Sequence, residues 1–133
     1  MTETVVWVVL AIFGLFFLYT GVASFLRPAP FARSLSLETV GRSGAVEIRA
    51  QYGGFFFAAA VSQFAPFVGL TTPSVALTVA LVIFGGLILG RLGALAYAAR
   101  GDTLTPTIRA LFVVDGGGAA LAAACLLAPA TAG

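Results

Sequence analysis

Residues Val5–Leu26 read VVWVVLAIFGLFFLYTGVASFL, a run of 22 residues without a charged side chain. A helix rises about 1.5 Å per residue and the hydrocarbon core of a bilayer is about 30 Å thick, so roughly 20 such residues cross it once. The run stops at Arg27-Pro28-Ala29-Pro30, because proline ends a helix and arginine anchors it at the membrane surface. The acidic flank before the run and the length of the run differ from those of a cleaved signal peptide. This stretch therefore predicts a retained transmembrane helix.

The whole chain resembles that first run in being apolar and poor in charged residues. Of its 133 residues, 60% are hydrophobic and 9% are charged, with a mean hydropathy of +1.08. A soluble domain carries about 25% charged residues, which it needs to cover its surface. The class indicated is therefore an integral membrane protein. Seven basic residues exceed five acidic ones, but no basic cluster with interleaved aromatics appears, so we expect no nucleic-acid partner.

Residues able to hold a metal or a haem are almost absent from the sequence. The chain has no histidine and one cysteine, Cys125, within an apolar run. This excludes a histidine-ligated haem, a zinc finger and an internal disulfide. No nucleophile–base pair can be recognised either. We expect no catalytic residues, no metal and no cofactor, and an enzyme is the least favoured class.

Four hydrophobic segments are long enough to cross a bilayer, at approximately 5–26, 46–70, 73–99 and 106–128. They predict an all-α, four-transmembrane-helix bundle, with residues 1–133 forming one integral membrane domain. Pro66 is expected to kink or end the second span. Residues 31–43 are polar and without clear periodicity, so a short helix and an extended surface segment both stay open.

The turns of the chain carry recognisable signals. Thr72-Pro73 and Thr105-Pro106 each combine a capping threonine with a proline at the first helical position, which predicts helix starts. Arg100-Gly101-Asp102 is expected to form the turn between spans three and four. All seven arginines lie in, or next to, the links between spans one and two and between three and four. By the positive-inside rule, those links face the cytoplasm and both termini face the other side.

Two charged residues fall inside predicted spans, Arg91 and Asp115. At 1.5 Å per residue they lie at similar depths, about 12 Å and about 13–14 Å from the linked ends of spans three and four. A short turn joins those spans, so an ion pair between the two residues is predicted. Such a pair has two interpretations: it is part of a functional site, or it only neutralises charge and fixes the helix register.

The mouth of span two is the other polar region. Glu47, Gln51 and Gly54 follow one another at i, i+4 and i+7, which places them on one stripe of a regular helix. If that stripe faces inward, Glu47 approaches Arg91, and Arg49 and Tyr52 join a polar chamber. The alternative is that Glu47 and Arg49 extend into water at the membrane edge.

Glycines recur at positions where helices could approach closely. We predict a helix-packing role for six of them: Gly53, Gly54, Gly86, Gly90, Gly116 and Gly117. Small residues let helix backbones touch in lipid. Packing within one chain, a dimer face and a slot kept open for a ligand are the three interpretations.

The stretch from Glu47 to Gly54, EIRAQYGG, resembles a family of small four-helix bacterial membrane proteins of unknown function, similar to the broad DoxX-like group. Gly21 with Arg27-Pro28, Gly90-Arg91 and an acid in span four extend the resemblance over nearly the whole chain. In that family the acid is often Glu, where this chain has Asp115. The resemblance implies a four-helix bundle in a bacterial inner (cell) membrane, and it implies no reaction.

Three functions are compatible with these features. The first is binding of a lipid-like or other hydrophobic small molecule in the bundle, with the arginine–acid cluster holding its polar head. The second is an accessory or assembly subunit of a larger membrane complex, or a homo-oligomer. The third is a proton-coupled small transporter that uses Glu47 or Asp115 as the proton carrier. Glu47 is the better candidate, because the predicted pairing with Arg91 would hold Asp115 in its ionised form. Membrane lipid is an expected partner in each case.

Overall fold

The computed structural model of the chain describes residues 3–97 and 104–128. These residues form helices and connecting turns, with no strand among them, which confirms the all-α prediction. The helices are α1 (Glu3–Leu26), α2 (Pro28–Ser34), α3 (Gly41–Ile48), α4 (Phe55–Phe64), α5 (Pro73–Tyr97) and α6 (Pro106–Leu127), with a π-helical segment (Arg49–Gly54) before α4 and a 3₁₀ turn (Ala65–Val68) after it.

Three of these helices, α1, α5 and α6, are long and apolar enough to cross a membrane. Their most apolar windows have mean hydropathies of 2.4, 2.3 and 1.9 respectively. They coincide with the predicted spans 5–26, 73–99 and 106–128, and both predicted threonine caps form. The amide of Val75 donates to Thr72 Oγ1 at 3.4 Å, and that of Ile108 donates to Thr105 Oγ1 at 3.3 Å. The predicted turn at Arg100-Gly101-Asp102 lies outside the described residues.

The predicted second span corresponds to one continuous helical run, Gly41–Val68, that is not a regular α-helix. It passes through α3, the π-helical segment, α4 and the 3₁₀ turn without a break, and it begins five residues before the predicted start at 46. Pro66 has no amide hydrogen and cannot continue the α-helical bonding pattern. The run ends in the 3₁₀ turn there, as predicted, and Gly69 closes it in the left-handed conformation with φ of 72°.

The polar link between α1 and this second helical run contains a short helix followed by an irregular segment. The sequence left a short helix and an extended segment open. α1 ends at Leu26, and Pro28 then begins α2 because the fixed φ of proline suits the first helical position. α2 ends in a turn in which Ser36 has a φ of 60°. The residues from 37 to 40 have no regular structure, and Gly41 starts the second helical run.

The helices associate as two antiparallel pairs. In the first pair, α1 and the second helical run touch at both ends, where the Trp7 ring lies 4.9 Å from that of Phe67 and Arg49 Nε donates to the Phe25 carbonyl at 2.9 Å. In the second pair, α5 and α6 touch along their length. Buried Gln63 joins the pairs.

Gln63 makes that connection with its amide group. Its Nε2 donates to the Ala76 carbonyl of α5 at 3.1 Å and to Ser62 Oγ at 3.0 Å. Its Oε1 is buried and accepts no hydrogen bond from any described residue. One half of this fully buried amide is therefore satisfied and the other half is not.

The core is a cluster of phenylalanines where the two pairs meet. Phe84 of α5 lies 5.0 Å from both Phe13 and Phe17 of α1, measured between ring centroids. Gly118 of α6 lies under the Phe84 ring, where a Cβ would come within 2.8 Å of it. Aromatic rings at these separations bury large apolar areas and attract one another by their quadrupoles. This cluster fixes how the pairs pack.

The core occupies one half of the bundle only. The buried residues of α5 lie between Ala76 and Phe84, and those of α6 begin at Asp115. We call the half that holds them, with the Gly69 turn, the terminal end, because α1 begins there at Glu3 and α6 ends there at Leu127. We call the other half, with α2, α3 and the linked ends of α5 and α6, the arginine-rich end. The described residues of α5 and α6 at the arginine-rich end are not buried, so the second pair is open there.

Candidate functional site

Arg91 and Asp115 form the ion pair that the sequence predicted. The Asp115 side chain is 2% exposed and the Arg91 side chain is 24% exposed. The pair lies at the border between the packed core and the open arginine-rich end, since Asp115 is the first buried residue of α6. A buried carboxylate needs such a partner, because an unpaired charge in an apolar surrounding costs several kcal/mol. Part of the Arg91 side chain still reaches the surface.

Tyr52 of the π-helical segment lies within electrostatic range of the Arg91 guanidinium. Its ring packs against Phe31 of α2 at 5.3 Å and against Phe56 of α4 at 6.4 Å, between centroids. Tyr52 therefore packs within the first helix pair and lies close enough to the second pair for an electrostatic interaction with Arg91. We call Tyr52, Arg91 and Asp115 the polar cluster.

The stripe of Glu47, Gln51 and Gly54 does not face inward. All three residues are exposed, so Glu47 does not enter a chamber beneath Arg91. The stripe lies on the outer side of the second helical run. Gly53 and Tyr52 take the inward positions instead.

Arg49 is bound to the end of α1 and takes no part in the polar cluster. Its Nε donates to the Phe25 carbonyl, and its guanidinium carbon lies 6.0 Å from the centroid of the Phe25 ring. The last carbonyls of a helix lack partners within the helix, and a basic side chain satisfies one here. Three residues apart on the same segment, Arg49 contacts the end of α1 and Tyr52 packs on Phe31 and Phe56.

The predicted glycine contacts form at some positions only. Gly53 packs on Phe25, where a Cβ would come within 3.1 Å. Gly54 and Gly116 have only distant neighbours, and a Cβ on Gly86, Gly90 or Gly117 would meet nothing within 4 Å. These last three glycines therefore make no close contact with another described part of the chain. The dimer-face and ligand-slot interpretations stay predictions.

Other glycines make the close approaches. A Cβ on Gly21 would lie 2.9 Å from the Phe57 amide nitrogen, and one on Gly14 would lie 2.7 Å from the Phe64 ring. The sequence offers no spacing rule that singles out these positions. Only the family resemblance points to Gly21 in the sequence.

Two apolar grooves run along the outside of the bundle. The first, between α1 and the π-helical segment, has a volume of about 350 Å³ and includes Gly21, Phe25 and Gly53 in its lining. The second, between α4 and α5, has a volume of about 380 Å³ and includes Ala59 and Val82. Neither is lined by a residue of the polar cluster. No group of three potential metal ligands exists among residues 3–97 and 104–128, and the expectation of no cofactor stays a prediction.

The protein is therefore all-helical, and its long apolar helices are compatible with a membrane protein. Residues 5–126 match the family described as "Domain of unknown function (DUF4345)", and the chain belongs to that family. A search of curated proteins and a search of solved structures each find no match. The family confirms the resemblance to an uncharacterised domain and assigns no activity.

Proposed function

We propose that the chain is a four-span protein of a bacterial inner membrane, related to the DoxX-like group, that binds a lipid-like or other hydrophobic small molecule. The polar head of that molecule contacts the polar cluster, and both chain termini lie on the non-cytoplasmic side. The orientation follows from the seven arginines, all in or beside the links at the arginine-rich end.

The second helical run supports the fourth span. Its 19 residues from Ala50 to Val68 contain no charge, and about 20 residues suffice to cross the hydrocarbon core. Its charged residues, including Arg42 and Glu47, lie near its start, where side chains reach the membrane surface. The run also pairs with α1 from Trp7 to Phe25, so its length matches that of a spanning helix.

The observation that carries the binding proposal is the position of the Arg91–Asp115 pair at the border of the open end. A ligand entering between the helix pairs meets apolar walls first and these charges at the inner limit. Small-molecule sites have this composition, with a few placed polar groups in an apolar surrounding. Because Asp115 already neutralises Arg91, the cluster favours a head group that accepts hydrogen bonds over one with a full negative charge.

Gentle purification followed by mass spectrometry tests this proposal. The wild-type protein should carry a discrete small molecule that Arg91→Met releases and Arg109→Gln retains. Arg109 is an exposed arginine outside the polar cluster, so its variant controls for loss of charge alone. Tyr52→Phe should weaken retention without removing the aromatic packing. Equal retention by all four proteins would overturn the polar cluster as the site.

A subunit of a larger complex is the second candidate function. The observation that favours it is the exposed glycine face of α5, since a Cβ on Gly86, Gly90 or Gly93 would meet nothing within 4 Å. Such a face suits a close approach by another helix in lipid. Co-purification with a defined partner that Gly90→Leu abolishes would support it, and an isolated wild-type chain would count against it.

Proton-coupled transport gains no support from the described geometry. Glu47, the preferred proton carrier, is exposed and lies outside the polar cluster. Asp115 is paired with Arg91, which holds a carboxylate in its ionised form.

A further inference from the structure

The first apolar groove lies at the arginine-rich end of α1, away from the polar cluster. Its α1 wall is formed by Gly21, Val22, Phe25 and Leu26. Its opposite wall comes from the π-helical segment and Phe57. Phe25, Leu26 and Phe57 are all more than half exposed, so the groove opens to the outside. In a membrane, the outside is hydrocarbon.

The groove exists because three glycines form its floor. A Cβ on Gly21 would collide with the backbone at Phe57, and one on Gly53 would touch Phe25. Gly54 lies at the edge with ordinary helical angles, φ −64° and ψ −46°. All lining atoms that reach the surface are apolar. The volume of about 350 Å³ is near the lower limit of small-molecule sites, which suits one hydrocarbon chain.

A guanidinium group is fixed at one end of this groove. Arg49 donates from Nε to the Phe25 carbonyl and lies over the Phe25 ring, which is part of the groove wall. Its Nη atoms contact no described residue through a hydrogen bond or ion pair, so they are available as donors. Arg27, which is exposed, directly follows the lining residue Leu26. A planar guanidinium with free donors suits a phosphate, which it binds through two parallel hydrogen bonds.

The charge of the surrounding segment is complementary to an anion. Between residues 27 and 54 the sequence holds four arginines and two glutamates, a net charge of +2: Arg27, Arg33, Arg42 and Arg49 against Glu38 and Glu47. The acid nearest to Arg49 along the chain, Glu47, is exposed and makes no ion pair with it among the described residues.

We propose that this groove is a specific site for an anionic phospholipid of the leaflet at the arginine-rich end. One acyl chain occupies the groove over Gly21, Gly53 and Gly54, and the phosphate accepts hydrogen bonds from Arg49 with Arg27 beside it. The site rests on the proposed position of the second helical run in the membrane. It does not depend on a ligand at the polar cluster.

Native mass spectrometry of the purified protein in detergent, titrated with phosphatidylglycerol, tests the proposal. Phosphatidylcholine with the same acyl chains is the comparison lipid. We expect one phosphatidylglycerol per chain, bound several-fold more tightly than phosphatidylcholine. Gly54→Leu should weaken the binding of both lipids about tenfold by filling the groove. Arg49→Gln should weaken the binding of phosphatidylglycerol several-fold, to the level of phosphatidylcholine, and so remove the preference.

Matched variants separate this site from general effects. Gly85→Leu places the same side chain on α5 at a position where a Cβ would meet nothing within 4 Å, and Arg109→Gln removes a charge elsewhere; both should bind as wild type. A Gly54→Leu protein that keeps its phosphatidylglycerol, or a preference unchanged by Arg49→Gln, would overturn the proposal. A dimer that Gly54→Leu dissociates would also overturn it, because the occupant would then be a second copy. Loss of a co-purified molecule in Arg91→Met tests the polar cluster independently.

Discussion

Asp115 is buried more completely than its partner Arg91, with exposures of 2% and 24%, and this difference sets the cost of removing either one. Replacing Arg91 by Met keeps the long apolar stem but leaves the carboxylate unpaired. Breaking a buried pair in this way costs roughly 3–5 kcal/mol, so we expect about 4 kcal/mol of the unfolding free energy to be lost. Replacing Asp115 by Leu keeps the branched shape and leaves an arginine that reaches water. We expect that loss to be about 2 kcal/mol.

The double variant decides whether the two costs have one cause. With both charges gone, no unpaired ion remains, and its stability should lie within about 1 kcal/mol of wild type. Trp7 is the single tryptophan of the chain and packs on Phe67, so its fluorescence reports unfolding by a denaturing detergent in mixed micelles. A double variant as unstable as Arg91→Met alone would refute the reasoning. So would an Asp115→Leu variant less stable than Arg91→Met.

Three further predictions concern packing and topology. Gly21→Val should destabilise the fold by about 2 kcal/mol because its Cβ meets backbone, whereas Gly90→Ala on the open face should lie within about 1 kcal/mol of wild type; equal effects in the same unfolding assay would contradict the close approach. Cysteines placed at Ser36 and Ser74, in a background without the native cysteine, should react with a membrane-impermeant maleimide from opposite sides of the membrane. Labelling of both cysteines from one side would show that the second helical run does not cross the membrane. Gln63→Met should change stability by less than about 1 kcal/mol, because the loss of its two hydrogen bonds is offset by removal of an unsatisfied buried oxygen. A loss above about 2 kcal/mol in the unfolding assay would indicate that this oxygen has a partner.

The long helices could be predicted because hydrophobicity and length decide them in lipid. α1, α5 and α6 follow from uncharged runs of sufficient length, and the starts of α5 and α6 follow from threonine–proline caps. The second helical run was harder to predict, because its charged first turns and its π-helical segment interrupt the pattern that a hydropathy window detects. Its early start at Gly41 depends on a turn rather than on composition.

The polar cluster was predicted in part. The depths of Arg91 and Asp115 are a matter of counting along two linked helices, and the pair forms. The outward direction of Glu47 and the contact of Arg49 with Phe25 could not be predicted by counting residues. Both depend on how the second helical run is rotated about its own axis when it packs on α1, and residue spacing does not determine that rotation. The grooves likewise depend on which glycines meet a neighbour, and this is a property of the packed helices alone.

The π-helical segment also constrains how this stretch of sequence can vary in length. A wide turn holds more residues than the α-helical turn it replaces. Deleting one residue from it would let the run close as a regular α-helix with its two sides still in register, whereas inserting one further residue would rotate them against each other by about 100°. After such an insertion Arg49 would leave α1, or Tyr52 would leave Arg91. Natural insertions should therefore fall in the irregular link at residues 37–40 and avoid the interval between Arg49 and Tyr52, even where the residues themselves are exchanged.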